Sequence, residues 1–205
     1  MTLKALAVLA LATLTACGTT AGTEYATDAE MSAPTARYVA EPPRSITLYT
    51  VVAVRNGSGA HSGLLINASE QVMFDPAGSF SHPKVPERND VLYGMNPRMK
   101  AFYVDYHARE AFNVIEQTVI VSPEVAELVK QKVEAYGAVG KAHCADSISA
   151  VLRGVPGFES VGSTWFPNKL SAEFGKLPGA SYKFITDKTA DHSHGVTLIE
   201  PPAAY

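Results

Sequence analysis

Two periods of hydrophobic and polar positions run along this chain. Residues 46–54 form a β-branched run and predict a strand. Residues 56–59, Asn-Gly-Ser-Gly, are a turn signal, and a second strand is expected over 60–66. Residues 67–70 turn the chain, and 71–74 open a third strand, so the first three strands predict a meander. Residues 80–90, with Pro83 and Pro86, read as loop. Residues 91–93 fit either a short strand or a helix start. Residues 99–106 and 112–121 are apolar and β-prone. The period then lengthens. Ser122-Pro123-Glu124 is a helix start, with Val125, Leu128, Val129, Lys132 and Val133 on one face as far as Tyr136. Ile148, Val151 and Leu152 share one face of a second helix, which begins near Cys144 and stops at Gly154. A short helix over 167–174 and a strand over 181–185 complete the pattern. Strands followed by helices predict an α+β domain.

The ends of the chain break this pattern. Lys4 precedes an apolar stretch, residues 5–14, too short to span a bilayer. Leu14-Thr15-Ala16-Cys17 then resembles a bacterial lipobox. That resemblance implies cleavage before Cys17, lipidation of its sulfur and a membrane-tethered product. Gly18 after the Cys suggests an outer-membrane location facing the periplasm, if the source is Gram-negative. Residues 1–16 are thus expected to be a signal peptide, and 17–44 the lipidated Cys with a flexible tether. The domain is placed at 45–190, with an irregular tail at 191–205.

Composition narrows the field. The 205 residues are 46% hydrophobic, with a formal net charge of −3, enough for one domain with a sizeable core. No basic run appears, so a nucleic-acid partner is not expected. Only two Cys are present. If Cys17 carries lipid, Cys144 is a lone thiol in an oxidising compartment, a candidate reactive group. At a helix start, unpaired N–H groups and the dipole favour a thiolate. The alternative is a small buried apolar residue, but His143 and Asp146 beside it suggest a partly wet site.

A nucleophilic Cys needs a base and a group to orient that base. Of six His, His61 is the best placed, opening a strand after a Gly-rich turn with small Ser62 and Gly63 beside it. His143 adjoins the Cys and reads as a wall residue. His107 is the runner-up base, and His82 lies in a loop. Asp75 ends the strand expected beside His61 and could fix its tautomer, although Asp75-Pro76 serves equally as a turn initiator. Asn67 and Glu70 are weaker candidates for that role. His192 and His194 lack further ligands at recognisable spacing, so no metal is expected, and no cofactor motif is present.

Residues 61–66 with the following strand to Asp75, and residues 144–147 with their helix, together resemble the permuted NlpC/P60 group of papain-like proteins. That group is similar to lecithin:retinol acyltransferase-like proteins and to bacterial lipoproteins of the YaeF and YiiX type. Here His precedes Cys, as the permutation requires. The resemblance implies a papain-like α+β fold, an antiparallel sheet packed on helices with the Cys at a helix N-terminus. It also implies a thiol hydrolase, peptidase or acyltransferase using Cys144 and His61. The strand after His61 offers Met73 and Phe74 where the family often has a polar residue, and then Asp75. Implied substrates are amides of peptidoglycan peptides or acyl esters of lipids. The rival expectation is a non-catalytic envelope lipoprotein that keeps this fold for binding or scaffolding, with Cys144 buried or oxidised far from any His.

Overall fold

A computed structural model describes residues 25–187. The lipobox, residues 18–24 of the expected tether, and the tail with His192 and His194 lie outside the described residues. The described elements are, in order, α1 (Asp28–Ser32), a 3-10 turn (Pro34–Ala36), β1 (Ser45–Ala53), β2 (Gly59–Asn67) and β3 (Gln71–Phe74). Then come β4 (Glu87–Arg88), β5 (Val91–Leu92), α2 (Pro97–His107), β6 (Phe112–Ile120) and α3 (Pro123–Tyr136). The last are α4 (Cys144–Leu152), α5 (Pro167–Phe174) and β7 (Ser181–Ile185). The strands form one seven-stranded antiparallel sheet in the order β4-β5-β3-β2-β1-β6-β7. The class is α+β, with the expected β1–β2–β3 meander at its heart. No helix among the described residues is long and apolar enough to cross a membrane.

Central β1 is buried along seven consecutive positions. A strand covered on both faces needs apolar side chains on both, hence its continuous run rather than an alternation. Ile46, Leu48, Leu64, Ile66 and Phe74 pack on one side with Val129 and Val133 of α3, Ile148 and Leu152 of α4, and Leu170 and Phe174 of α5. Tyr49, Leu65 and Met73 pack on the other with Met99, Phe102 and Tyr103 of α2.

Three expectations are corrected. Residues 99–106 lie in a helix, not a strand. The Asn96 side chain caps it by accepting from the Met99 N–H, and Pro97 takes the first helical position. Met99, Phe102 and Tyr103 then fall at helical spacing on the sheet. The residues described between 25 and 44 are not a loose tether. The Ala26 N–H donates to Glu87 O at 2.9 Å, the Gln71 N–H donates to Tyr38 O at 2.8 Å, and Ala36 is buried. The Asn67 amide donates to the Glu41 and Pro43 carbonyls at 3.1 and 3.0 Å. These backbone groups find partners on the domain, which a polar composition alone does not reveal. On α3, Ala126, Val129 and Val133 face the core, whereas Leu128 is 37% exposed. The open choice at 91–93 resolves as the strand β5.

Candidate active site

The site forms where two neighbouring strands differ in length. The β2–β3 ladder runs from Leu64 to Asn67 on β2, and the start of β2 continues past it. His61 lies in that extension, opposite Val51 on β1, just before a register shift. Asp75 is the first residue beyond β3. An antiparallel pair therefore sets the two residues side by side at the frayed end of the ladder. Their side chains meet: His61 Nε2 is 2.7 Å from Asp75 Oδ1. With Nε2–H donating to the carboxylate, Nδ1 is left for a second partner.

Cys144 stands beside the same ring. Ala142 takes a left-handed conformation, φ 69°, and turns the chain into α4, whose first residue is Cys144. Apolar Ile148, Val151 and Leu152 seat the helix on the sheet and carry its N-terminus to the start of β2. The sulfur sits close enough to the His61 side chain and to the backbone N–H groups of Ser62 and Ala145 for each of them to act on its charge. The Ser62 N–H belongs to the stretch of β2 that runs beyond β3. Cys144 is only 6% exposed, drier than the expectation of a partly wet site.

Burial opposes charge on each member, and their mutual attraction outweighs it. Burial pushes the Cys144 thiol up, but His61 and the two N–H groups bring it below its ordinary value. Burial likewise disfavours a charged His61. The Asp75 carboxylate and the Cys144 sulfur overcome this and push it up to about 10. Asp75 is raised by burial and lowered more by His61, with His107 and Tyr103 helping. The same neighbours that favour a protonated His61 also favour a thiolate on Cys144, with the Asp75 carboxylate behind them.

Two residues of α2 join this group: Tyr103, which the strand expected over 99–106 hid, and His107, the runner-up base. The Tyr103 hydroxyl donates to Asp75 Oδ1 at 2.7 Å. The His107 ring lies parallel to that of His61, centroids 5.5 Å apart, and its Nδ1–H donates to Tyr103 O at 2.8 Å. Burial, with His61 nearby, drives His107 down to about 4 despite the Asp75 charge. The runner-up base is thus a neutral neighbour of the pair. The Asn96-Pro97 helix start was the sequence signal that would have placed both residues.

The other candidates lie elsewhere. The His143 ring contacts that of Trp165, centroids 4.5 Å apart, and Trp165 is 53% exposed. These two form a wall beside the start of α4. His82 is buried against Phe102. Asn67 holds the 41–43 backbone, and Glu70 pairs with Arg37, so neither reaches His61. Ligand atoms of His61, Asp75 and His107 lie within 4.8 Å of one another. Two of them are already joined at 2.7 Å. Atoms sharing one tetrahedral zinc sit roughly 3.3 Å apart, so the contact present is a hydrogen bond rather than a ready metal site.

Comparison with protein families, with curated proteins and with solved structures finds no match to this chain.

Proposed function

We propose that the protein is a thiol hydrolase or acyltransferase of the papain-like, permuted NlpC/P60 kind, anchored to the bacterial envelope by lipid on Cys17. The observation that carries the reading is the 2.7 Å His61–Asp75 hydrogen bond, with the Cys144 sulfur beside the same imidazole at the start of α4. A nucleophile at a helix start, a base bonded to it and a carboxylate orienting the base are the parts acyl transfer requires. A helix N-terminus packed at the end of an antiparallel sheet that carries the base also suits the papain-like reading.

In this mechanism the Cys144 thiolate attacks a carbonyl carbon and forms an S–C bond. The first N–H groups of α4 have no intrahelical partner, and that of Cys144 serves the developing oxyanion. His61 gives its proton to the departing nitrogen or oxygen, leaving a thioester on Cys144. Water, or an acceptor hydroxyl or amine, then loses a proton to His61 and attacks the thioester, and the thiolate leaves. Asp75 holds the tautomer and stabilises the imidazolium. The substrate classes are peptide amides of the cell wall and acyl esters of lipids, both within reach of an outer-membrane anchor.

Alkylation tests this without a substrate. In the full chain, Cys144 should react with iodoacetamide at pH 6 far faster than a free thiol, read by mass spectrometry of the peptide that carries it. His61→Ala should slow that reaction on the order of a hundredfold at pH 6, where an unassisted thiol is almost wholly protonated, and far less at pH 9. Wild-type reactivity no greater than that of a free thiol would exclude the mechanism. The burial of Cys144 favours the rival reading, a non-catalytic scaffold lipoprotein, and an inert thiol at both pH values is its expected result.

A further inference from the structure

We infer that Tyr103 is a positioning residue, whose hydroxyl holds the Asp75 carboxylate against His61 and so sets the state of the Cys144–His61 pair. The inference rests on the reading of Cys144 and His61 as nucleophile and base.

Both the Tyr103 hydroxyl and His61 Nε2 meet the same oxygen, Asp75 Oδ1, each at 2.7 Å. The carboxylate is buried against the Gly78 main chain. A Cβ on Gly78 would collide with the Asp75 carboxylate, and one on Gly63 would collide with the Tyr103 hydroxyl. Two glycines therefore make the room in which carboxylate and phenol meet. The side-chain hydrogen bonds that hold Asp75 in this orientation come from these two donors. Tyr103 itself is held firmly. Its ring packs edge-on to Tyr49 and Phe80, its carbonyl accepts from His107, and it is almost wholly buried. Burial and the Asp75 charge keep its phenol protonated, so it remains a donor throughout the working pH range.

The titratable groups around Asp75 are His61 on β2, Tyr103 and His107 on α2, and Cys144 on α4 beyond His61. Glu87 and Asp90 feel its charge from the β4–β5 hairpin. Of these only His61 and Tyr103 donate hydrogen bonds to its carboxylate. Two roles for the hydroxyl predict opposite signs. If it merely draws charge from Asp75, its removal strengthens the hold on the imidazolium and stabilises the thiolate further. If it positions Asp75, its removal frees the carboxylate and weakens the thiolate. A charge-assisted hydrogen bond of good geometry outweighs the small redistribution of charge along it, which favours the second sign.

The test is the pH profile of Cys144 alkylation by iodoacetamide from pH 4 to 9, on the full chain. Tyr103→Phe keeps the ring and should raise the midpoint by about one pH unit, a roughly tenfold loss of thiolate on the rising limb. Tyr49→Phe removes a hydroxyl from the adjoining ring in the same core and should leave the midpoint in place. Gly63→Ala should push the Tyr103 hydroxyl away and reproduce the shift. In the Tyr103→Phe background, Gly63→Ala should add almost nothing, a non-additivity that two unrelated defects would not show. A Tyr103→Phe midpoint that stays or falls overturns the inference while leaving the Cys144–His61 pair standing. A wild-type midpoint equal to that of a free thiol overturns both. If Tyr103→Phe does not fold, Gly63→Ala decides: an unshifted midpoint there is equally fatal.

Discussion

His107 shows how a histidine can look like a base in sequence and act as a wall in space. Its ring is parallel to that of His61, but its Nδ1–H is committed to the Tyr103 carbonyl. Burial lowers its pKa to about 4. A base whose folded pKa lies below its unfolded value of about 6.5 supports folding fully above pH 6.5. That support is lost as pH falls towards 4, because the unfolded chain takes up the proton first. His61, with its raised pKa, contributes in the opposite sense. Its support is complete below pH 6.5 and lost as pH rises through about 10. Chemical denaturation at pH 7 and pH 4.5 should separate the two. His107→Gln should lose less stability over this interval than the wild type, by about 1–2 kcal/mol given the partial exposure of the ring. An equal loss in both proteins would mean that His107 titrates normally.

At the scale of elements, α5 is joined to the sheet by a buried polar clasp. The Ser171 hydroxyl donates to Gln117 Oε1 at 2.8 Å, and the Gln117 amide donates back to Ser171 O at 3.1 Å. Leu170 and Phe174 supply the apolar part of the contact. Ser171→Ala should cost about 1–3 kcal/mol in denaturant unfolding, because Gln117 Oε1 stays buried and loses its donor. The alkylation profile of Cys144 should not move, since α4 and not α5 carries the sulfur. A stability unchanged by the substitution would show that the clasp contributes nothing net. The ends of two helices are legible in the sequence. The Ser122 cap of α3 and the stop at Gly154 follow from local chemistry that acts within one turn. The helix over 97–107 was misread because its apolar residues suit either period, and Asn96-Pro97 before it decides between them.

The described residues form a sheet covered on both faces, with residues 26–43 laid along it. Ala36 is buried, and Asn67, Gln71 and Glu87 each bond to the backbone of residues 26–43. A chain beginning at residue 45 would leave the Asn67 amide and the Gln71 N–H without these acceptors in a poorly solvated setting. It should therefore unfold at lower denaturant than a chain beginning at residue 25, by at least about 2 kcal/mol. Equal midpoints would restore the view of this segment as a tether that starts near the domain boundary.

Sequence alone determined the α+β class, the meander of the first three strands, the helix starting at Cys144 and the short list that contained His61 and Asp75. Each depends on near neighbours: periodicity, caps, turn residues and the adjacency of consecutive strands. Tertiary structure decided which of these residues meet. The unequal lengths of β2 and β3 let His61 and Asp75 touch, and the docking of α4 carries Cys144 to the bare end of β2. The packing of α2 brings in Tyr103 and His107, which no local pattern linked to Asp75. Contacts between residues 61, 75, 103 and 144 depend on how layers pack, and a one-dimensional pattern records a residue's own burial but not the partner it is buried against.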